Sequence, residues 1–315
     1  MELKVGCIGE LLVEVMREKV DEPLGRPGTF VGPFPSGAPG IFIDTIARLG
    51  IEARFIGTVG KDDFGQMIID RLKEDGVDIS HIKVLDGYTT GVAFVTYFSD
   101  GSRKFIYHLS RAATGQIYPE DVDPAYLSGL SYLHIVGSTI SINEHCRQSC
   151  ERAVNLAKDL GVKVSFDPNL RPELLSIEEI RKICQPILGR SDIVFPTADE
   201  AMMLTGKKNL KEACMALLKE GPEIVVVKEG KSGSSVFTFE EEFHAPAFKV
   251  EEVDPTGAGD CYCAGFVAAI LKGTSLKEAA RFANAVGALA VTKKGPMEGA
   301  PTLNQVNQLI SSSGR

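Results

Sequence analysis

A chain of 315 residues, 44% hydrophobic and 24% charged, has the composition of a globular protein long enough to bury a large core. Its formal net charge of −8 argues against an electrostatic nucleic-acid or anionic-membrane partner, though a local phosphate site stays open to it. The longest strongly apolar run, Cys261 to Leu271, is short of the ~20 residues a helix needs to cross a bilayer, and the seven scattered cysteines contain no C-x-x-C pair, which reads as reduced thiols in a cytoplasmic protein.

In chain order, "LKVGCIGE" reads as a buried first strand, and the acids scattered through the apolar start oppose a signal peptide. Leu12–Val31 is polar and carries Pro23, Gly25, Pro27 and Gly28. "APGIFIDTIARLG" has helical spacing and a C-cap glycine at Gly50. "ARFIGTVG" and "DFGQMIIDRLKEDG" predict a strand and a helix. Thr89–Leu109 alternates as two strands around the turn "SDGS". From Val162 the rhythm is clear: strand "VKVSF", helix Ile177–Leu188, strand "DIVF", helical "ADEAMMLTG" and "LKEACMALLKEG", then strand "EIVVVKEG". Such alternation predicts an α/β fold, one domain over 1–315, with a mostly parallel sheet covered on both faces. The segments at about 12–35 and 87–112 predict a small antiparallel sheet apart from the core, a lid over a site. The tail "SSSGR" is expected to fray.

The run "DPTGAGD" (254–260) before "CYCAGFVAAIL" carries the chemistry. Gly257 and Gly259 lack Cβ atoms, so their amides can approach a ligand closely. The helix that follows offers free first-turn N–H groups and the positive end of its dipole, an anion hole suited to phosphate. Asp260 in that turn would accept the proton of a hydroxyl attacking phosphorus, and the dipole is expected to keep it ionised. Alone, these residues fit equally a capped helix with glycines in a tight turn. The P-loop pattern fails because Val225 stands where its first glycine belongs before Gly230-Lys231-Ser232, and a dinucleotide fingerprint fails at Tyr262.

The stretch "VDPTGAGDCYCAGF" (253–266) resembles the C-terminal signature of the ribokinase-like, or PfkB, carbohydrate kinases. "GELLVE" (9–14), "SGAPGIFIDTIARLG" (36–50), "GTVGKDDFG" (57–65), "FDPNLRPEL" (166–174), "VVVKEGKSG" (225–233) and "FANAVGALAVTKKG" (282–295) match in the family's order. The resemblance implies a three-layer α/β/α core with a β-sheet lid, and ATP with Mg²⁺. It implies Asp260 as base and Gly257, Ala258 and Gly259 as holders of the transferring phosphate. Thr256, Lys228, Gly230 and Gly233 would border the nucleotide, and Asn284 the adenine. Glu14, Gly37 and Arg171 would face the sugar. Ile41 stands where the family places a sugar-binding asparagine, and Asp44 is a possible substitute. His108 and Arg111 would share the role of a lid-strand arginine. Glu200 would belong to the metal shell, although Thr197 replaces the motif's asparagine. The carbonyls of Asp254 and Thr256 match a monovalent-cation site, K⁺. The implied substrate is a ketohexose (fructose, tagatose) or a keto sugar acid such as 2-keto-3-deoxygluconate. A nucleoside kinase and a non-catalytic binding regulator are the alternatives, and the implied assembly is a homodimer through the lid.

Overall fold

The computed structural model describes residues 3–172 and 175–313, so Glu173 and Leu174 of "FDPNLRPEL" and the last two residues of the tail lie outside the described residues. Thirteen strands follow in chain order: β1 (Lys4–Ile8), β2 (Leu12–Arg17), β3 (Phe30–Ser36), β4 (Glu52–Gly60), β5 (Val77–Leu85), β6 (Gly91–Tyr97), β7 (Arg103–His108), β8 (Tyr132–Val136), β9 (Lys163–Asp167), β10 (Ile193–Val194), β11 (Ile224–Lys228), β12 (Gly233–Phe237) and β13 (Glu242–Pro246). Between them run α1 (Ala38–Arg48), α2 (Asp63–Glu74), α3 (Pro124–Leu127), α4 (Gly137–Ile140), α5 (Glu144–Asp159), α6 (Ile177–Leu188), α7 (Ala198–Thr205), α8 (Leu210–Glu220), α9 (Ala258–Leu271), α10 (Leu276–Ala290) and α11 (Leu303–Ser312).

Nine strands form one sheet in the order β13-β12-β11-β10-β9-β8-β1-β4-β5. The seven strands from β11 to β5 pair in parallel, and β12 and β13 add antiparallel. Strands buried on both faces need no polar alternation. Accordingly Tyr132–Val136 is buried throughout, and Val225, Val226 and Val227 have no exposed surface. A separate apolar cluster lies on each face. One holds Phe42, Phe55 and Phe266 against α1, α9 and α10; the other holds Phe166, Ile187 and Leu217 against α5, α6 and α8. These are the three layers expected.

Helix α9 explains its uncharged sequence: Cys261 through Ala269 are all buried. It packs so closely on α10 that a Cβ at Gly265 would lie 3.0 Å from the Ala283 Cα and 2.9 Å from Val286.

The second sheet has four strands in the order β3-β2-β6-β7. Its two hairpin pairs are antiparallel, but β2 and β6 run parallel, so the lid is a mixed sheet and not the antiparallel one expected. Each hairpin leaves the core by its first strand, and the two first strands lie side by side. Asp62 anchors the entry to β6. Its carboxylate caps α2 at Gly65 N–H (2.8 Å) and accepts from the N–H and the hydroxyl of Thr90 (both 2.7 Å). All seven cysteines are free and buried, and no helix among the described residues is long and apolar enough to cross a membrane.

Candidate active site

A cleft opens between the lid and the C-terminal ends of the central strands. Glu14, Gly37, Arg171, Gly257 and Asp260 line it, as does Thr256. The structure thus gathers residues up to 250 positions apart in sequence around one space, from Glu10 just before β2 to Asp260 of α9.

The floor is the start of α9. Gly257 caps the helix with φ of 77°, and a Cβ there would lie 2.4 Å from the Pro296 carbonyl oxygen, so only glycine fits. The first i→i−4 bond of the helix is Cys261 N–H to Gly257 O at 2.9 Å, and Ala258 N–H makes only a long 3.4 Å contact to Pro255 O. The Gly259 and Asp260 amides therefore precede the helical ladder, where N–H groups lack intrahelical partners. The loop is held from behind by Asp254. One carboxylate oxygen accepts from the Thr256 N–H (3.0 Å) and hydroxyl (2.6 Å), the other from Gly295 N–H (2.9 Å).

Lys228, at the end of β11, supplies a positive charge beside this floor. A Cβ at Gly259 would sit 3.7 Å from its Nζ, so the glycine leaves open the space in front of the ammonium. Asp167 at the end of β9 pairs with Lys228 at 2.5 Å and holds it charged, well above the ordinary lysine range. Free amides, an open glycine face and a lysine form a donor set that fits a phosphate chain.

Asp260 departs from expectation. Burial and the Asp167 carboxylate lift its pKa to about 8, against the pull of Lys228 and Arg171. The helix terminus does not keep it ionised; desolvation wins. A base poised near neutral pH is the better proton acceptor for that reason.

Around the predicted nucleotide edge, the glycines serve the β11–β12 connection. Gly230 has φ of 54°, and a Cβ at Gly233 would lie 2.1 Å from the Ala245 carbonyl oxygen. Asn284 is buried on α10 and donates to Ala245 O (2.9 Å) and Ser234 Oγ (3.3 Å), pinning α10 to β12 and β13. Both Glu200 oxygens are engaged by main-chain amides, one at Thr197 (2.7 Å) and one at Leu170 (2.8 Å). Among the described residues no group of three or more His, Cys, Asp or Glu side chains is arranged to hold a metal ion.

On the sugar side, Glu14 is 5% exposed, accepts from Ser36 Oγ at 3.1 Å, and is pushed up to about 7 by burial. Gly37 has φ of 108°, with the Glu10 carbonyl oxygen 2.4 Å from where a Cβ would be. Three expectations fail. His108 and Arg111 are exposed and absent from the cleft; the cleft-facing residues of β7 are Arg103, Phe105 and Tyr107. Strand parity puts His108 on the outer face, where its ring meets Phe94 edge-on at 6.2 Å. Asp44 does not substitute at position 41 either. It is fully buried and bound to Arg71 (3.1 Å), while Ile41 itself lines the cleft.

Sequence reasoning passed over Arg103, Asn169, Glu10 and Ser138, which also line the cleft. Glu10 is fully paired with the Ser138 hydroxyl (2.5 Å) and the Thr139 hydroxyl. Counting β7 back by twos from Tyr107 would have found Arg103.

The family profile of the pfkB family carbohydrate kinases matches residues 3–303. The chain is 33% identical to fructokinase-1 of Zea mays over 320 residues, covering 98% of each protein. It superposes with a TM-score of 0.92 and 42% identity on an E. coli protein provisionally named ribokinase II and solved with ATP and Mg²⁺, covering 98% and 99% of the two chains. Aminoimidazole riboside kinase from Salmonella enterica gives 0.85 and 28%, covering 98% and 99%. With this match along almost its whole length, the chain belongs to the pfkB family of carbohydrate kinases, phosphotransferases that act on a sugar hydroxyl.

Proposed function

We propose that this sugar kinase uses ATP to phosphorylate a ketohexose or a keto sugar acid. The observation that carries the reading is Asp260, a carboxylate with pKa about 8 that faces the same cleft as Glu14 and stands one residue from the amides of the anion hole. Glu14 orients the sugar by accepting from its hydroxyls. Asp260 takes the proton of the attacking hydroxyl as its oxygen bonds to the γ-phosphorus, and the bond to the leaving oxygen breaks to release ADP. The Gly257–Gly259 amides and Lys228 neutralise charge on the transferring group. The lid excludes water, which would otherwise accept the phosphoryl group.

Among the described residues no group of three or more His, Cys, Asp or Glu side chains is arranged to hold a metal, so Mg²⁺ would enter with the nucleotide, near Glu200, and would supply charge neutralisation at the phosphates. Asp254 and Thr256 carbonyls would hold K⁺, and Asn284 would support the adenine edge through the strands it pins. The lid would also be the homodimer face, since Phe30 and Ile106 are 36% and 44% exposed there.

Arg103 from the lid and Arg171 from the core both line the cleft, which favours an acidic sugar within this class. The test is ADP formation with Mg-ATP over fructose, tagatose, 2-keto-3-deoxygluconate, ribose and aminoimidazole riboside. Turnover is expected for a ketohexose or keto acid. Turnover of the riboside alone would instead make the chain a nucleoside kinase, and none at all a binding protein.

A further inference from the structure

We propose that Asn169 is a substrate-recognition residue whose side-chain carbonyl oxygen accepts a hydrogen bond from a sugar hydroxyl. The inference deepens the sugar-kinase reading above and rests on it. Asn169 follows the C-terminal end of β9 and lines the cleft with Glu14, Arg171 and Asp260. Two features set it apart. Its backbone is left-handed, φ 38°, one of two such non-glycine residues among those described. Its Oδ1 is buried and has no hydrogen-bond donor.

Neither feature is left over from a slack loop. The turn is fixed on both sides: Asn169 N–H donates to Asp167 Oδ1 at 3.1 Å, and the next amide, Leu170, donates to Glu200 Oε1 at 2.8 Å. Asp167 is itself locked to Lys228. A left-handed residue and an orphaned acceptor each cost free energy, and such costs persist where surrounding structure enforces them at a working site.

Among the described residues, the other orphaned acceptor at this cleft is Glu14 Oε1. One acceptor therefore comes from the lid and one from the core, each sealed from water and lacking a proton donor. The pair fits a ligand with hydroxyl donors pointing in two directions, as a polyol has. A carboxylate on the substrate would be repelled at both points and would belong beside Arg103. Asn169 thus reads the hydroxyl-bearing stretch of the sugar.

The test uses the full chain with Asn169→Gly and Asn169→Asp, assayed on the best sugar of the panel. Glycine removes the acceptor and suits the left-handed backbone; aspartate keeps an acceptor and tolerates that backbone. Asn169→Gly is expected to raise the KM for sugar by roughly tenfold to a hundredfold, the loss of one buried hydrogen bond. The KM for ATP and the ligand-free thermal midpoint should not worsen. Asn169→Asp should keep the sugar KM within about threefold, since one acceptor oxygen remains. An unchanged sugar KM in the glycine variant overturns the assignment. So does a fall in midpoint with equal losses for sugar and ATP, the mark of a purely structural turn. A wild-type protein that phosphorylates no sugar of the panel fails on the broader reading, and this inference falls with it.

Discussion

An aspartate in water titrates near 3.8, yet Asp260 is lifted to about 8 by burial and by the Asp167 charge. In the ligand-free protein its active, ionised form therefore grows in as pH rises, so kcat/KM for the sugar should climb through about pH 8. The sign for stability is the opposite. Below 3.8 folded and unfolded chains both carry the proton; between there and about 8 only the folded chain keeps it, and that stabilisation is lost as pH rises through the folded value. Asp260→Asn removes the titration. It should lower kcat by roughly 10²–10⁴, the range for a general base. Its thermal midpoint should exceed wild type at pH 9, with the gap closing toward pH 4. Undiminished turnover in the variant would remove Asp260 from the mechanism. The residue and its glycines were legible because they are contiguous. Its pKa was not, since the burial that raises it comes only with the fold, and Asp167, which adds to it, stands on a strand 93 positions earlier.

Strands and helices carried different amounts of readable signal. Helix α6 spans Ile177–Leu188, the range its pattern predicts, because Ser176 and Glu179 form a reciprocal capping box before an apolar face. Strand β5 carries little readable signal: it is an edge strand of mixed burial whose sequence, "VDISHIKVL", has no clean period. In β7 the sequence marks a strand but not which face meets the cleft, and the structure turns Arg103 inward and His108 outward. Arg103→Ala should raise the sugar KM tenfold or more, as a charge-assisted contact would, whereas His108→Ala should stay within about twofold. Equal effects would mean that the strand faces the other way in solution. The α9–α10 contact gives a separate test, since Gly265→Val puts methyl groups where Ala283 and Val286 already lie within 3.0 Å of a Cβ. Overpacking of this kind costs ~1–3 kcal/mol, and the thermal midpoint should fall by several degrees. An unchanged midpoint would show that the helices can part.

For the whole molecule, alternation of strands and helices foretold the layered core, since each signal is local. The parallel pairing of β2 with β6 was not foretold: hairpin signals identify sequence neighbours, and this pair is joined only through the core. That pairing has a consequence for how the lid meets the floor of the cleft. Tyr97 at the end of β6 reaches across to hydrogen-bond the Thr256 hydroxyl, which Asp254 holds in turn. Gly257, Ala258 and Gly259 follow Thr256 directly in sequence, so this hydrogen-bonded chain ties the lid to the residue that leads into the proposed anion hole. Tyr97→Phe keeps the ring and deletes the link. Loss of one such bond is worth ~1 kcal/mol, enough to shift a closure equilibrium several-fold. The variant should lose roughly three- to tenfold in kcat at an unchanged KM for ATP, and sugar-independent ATP hydrolysis should rise as water enters. Thr256→Val cuts the same chain, so the double variant should lose little more than either single one. Fully additive losses would show that the two side chains act separately, and a lid that closes without signalling to the phosphate floor.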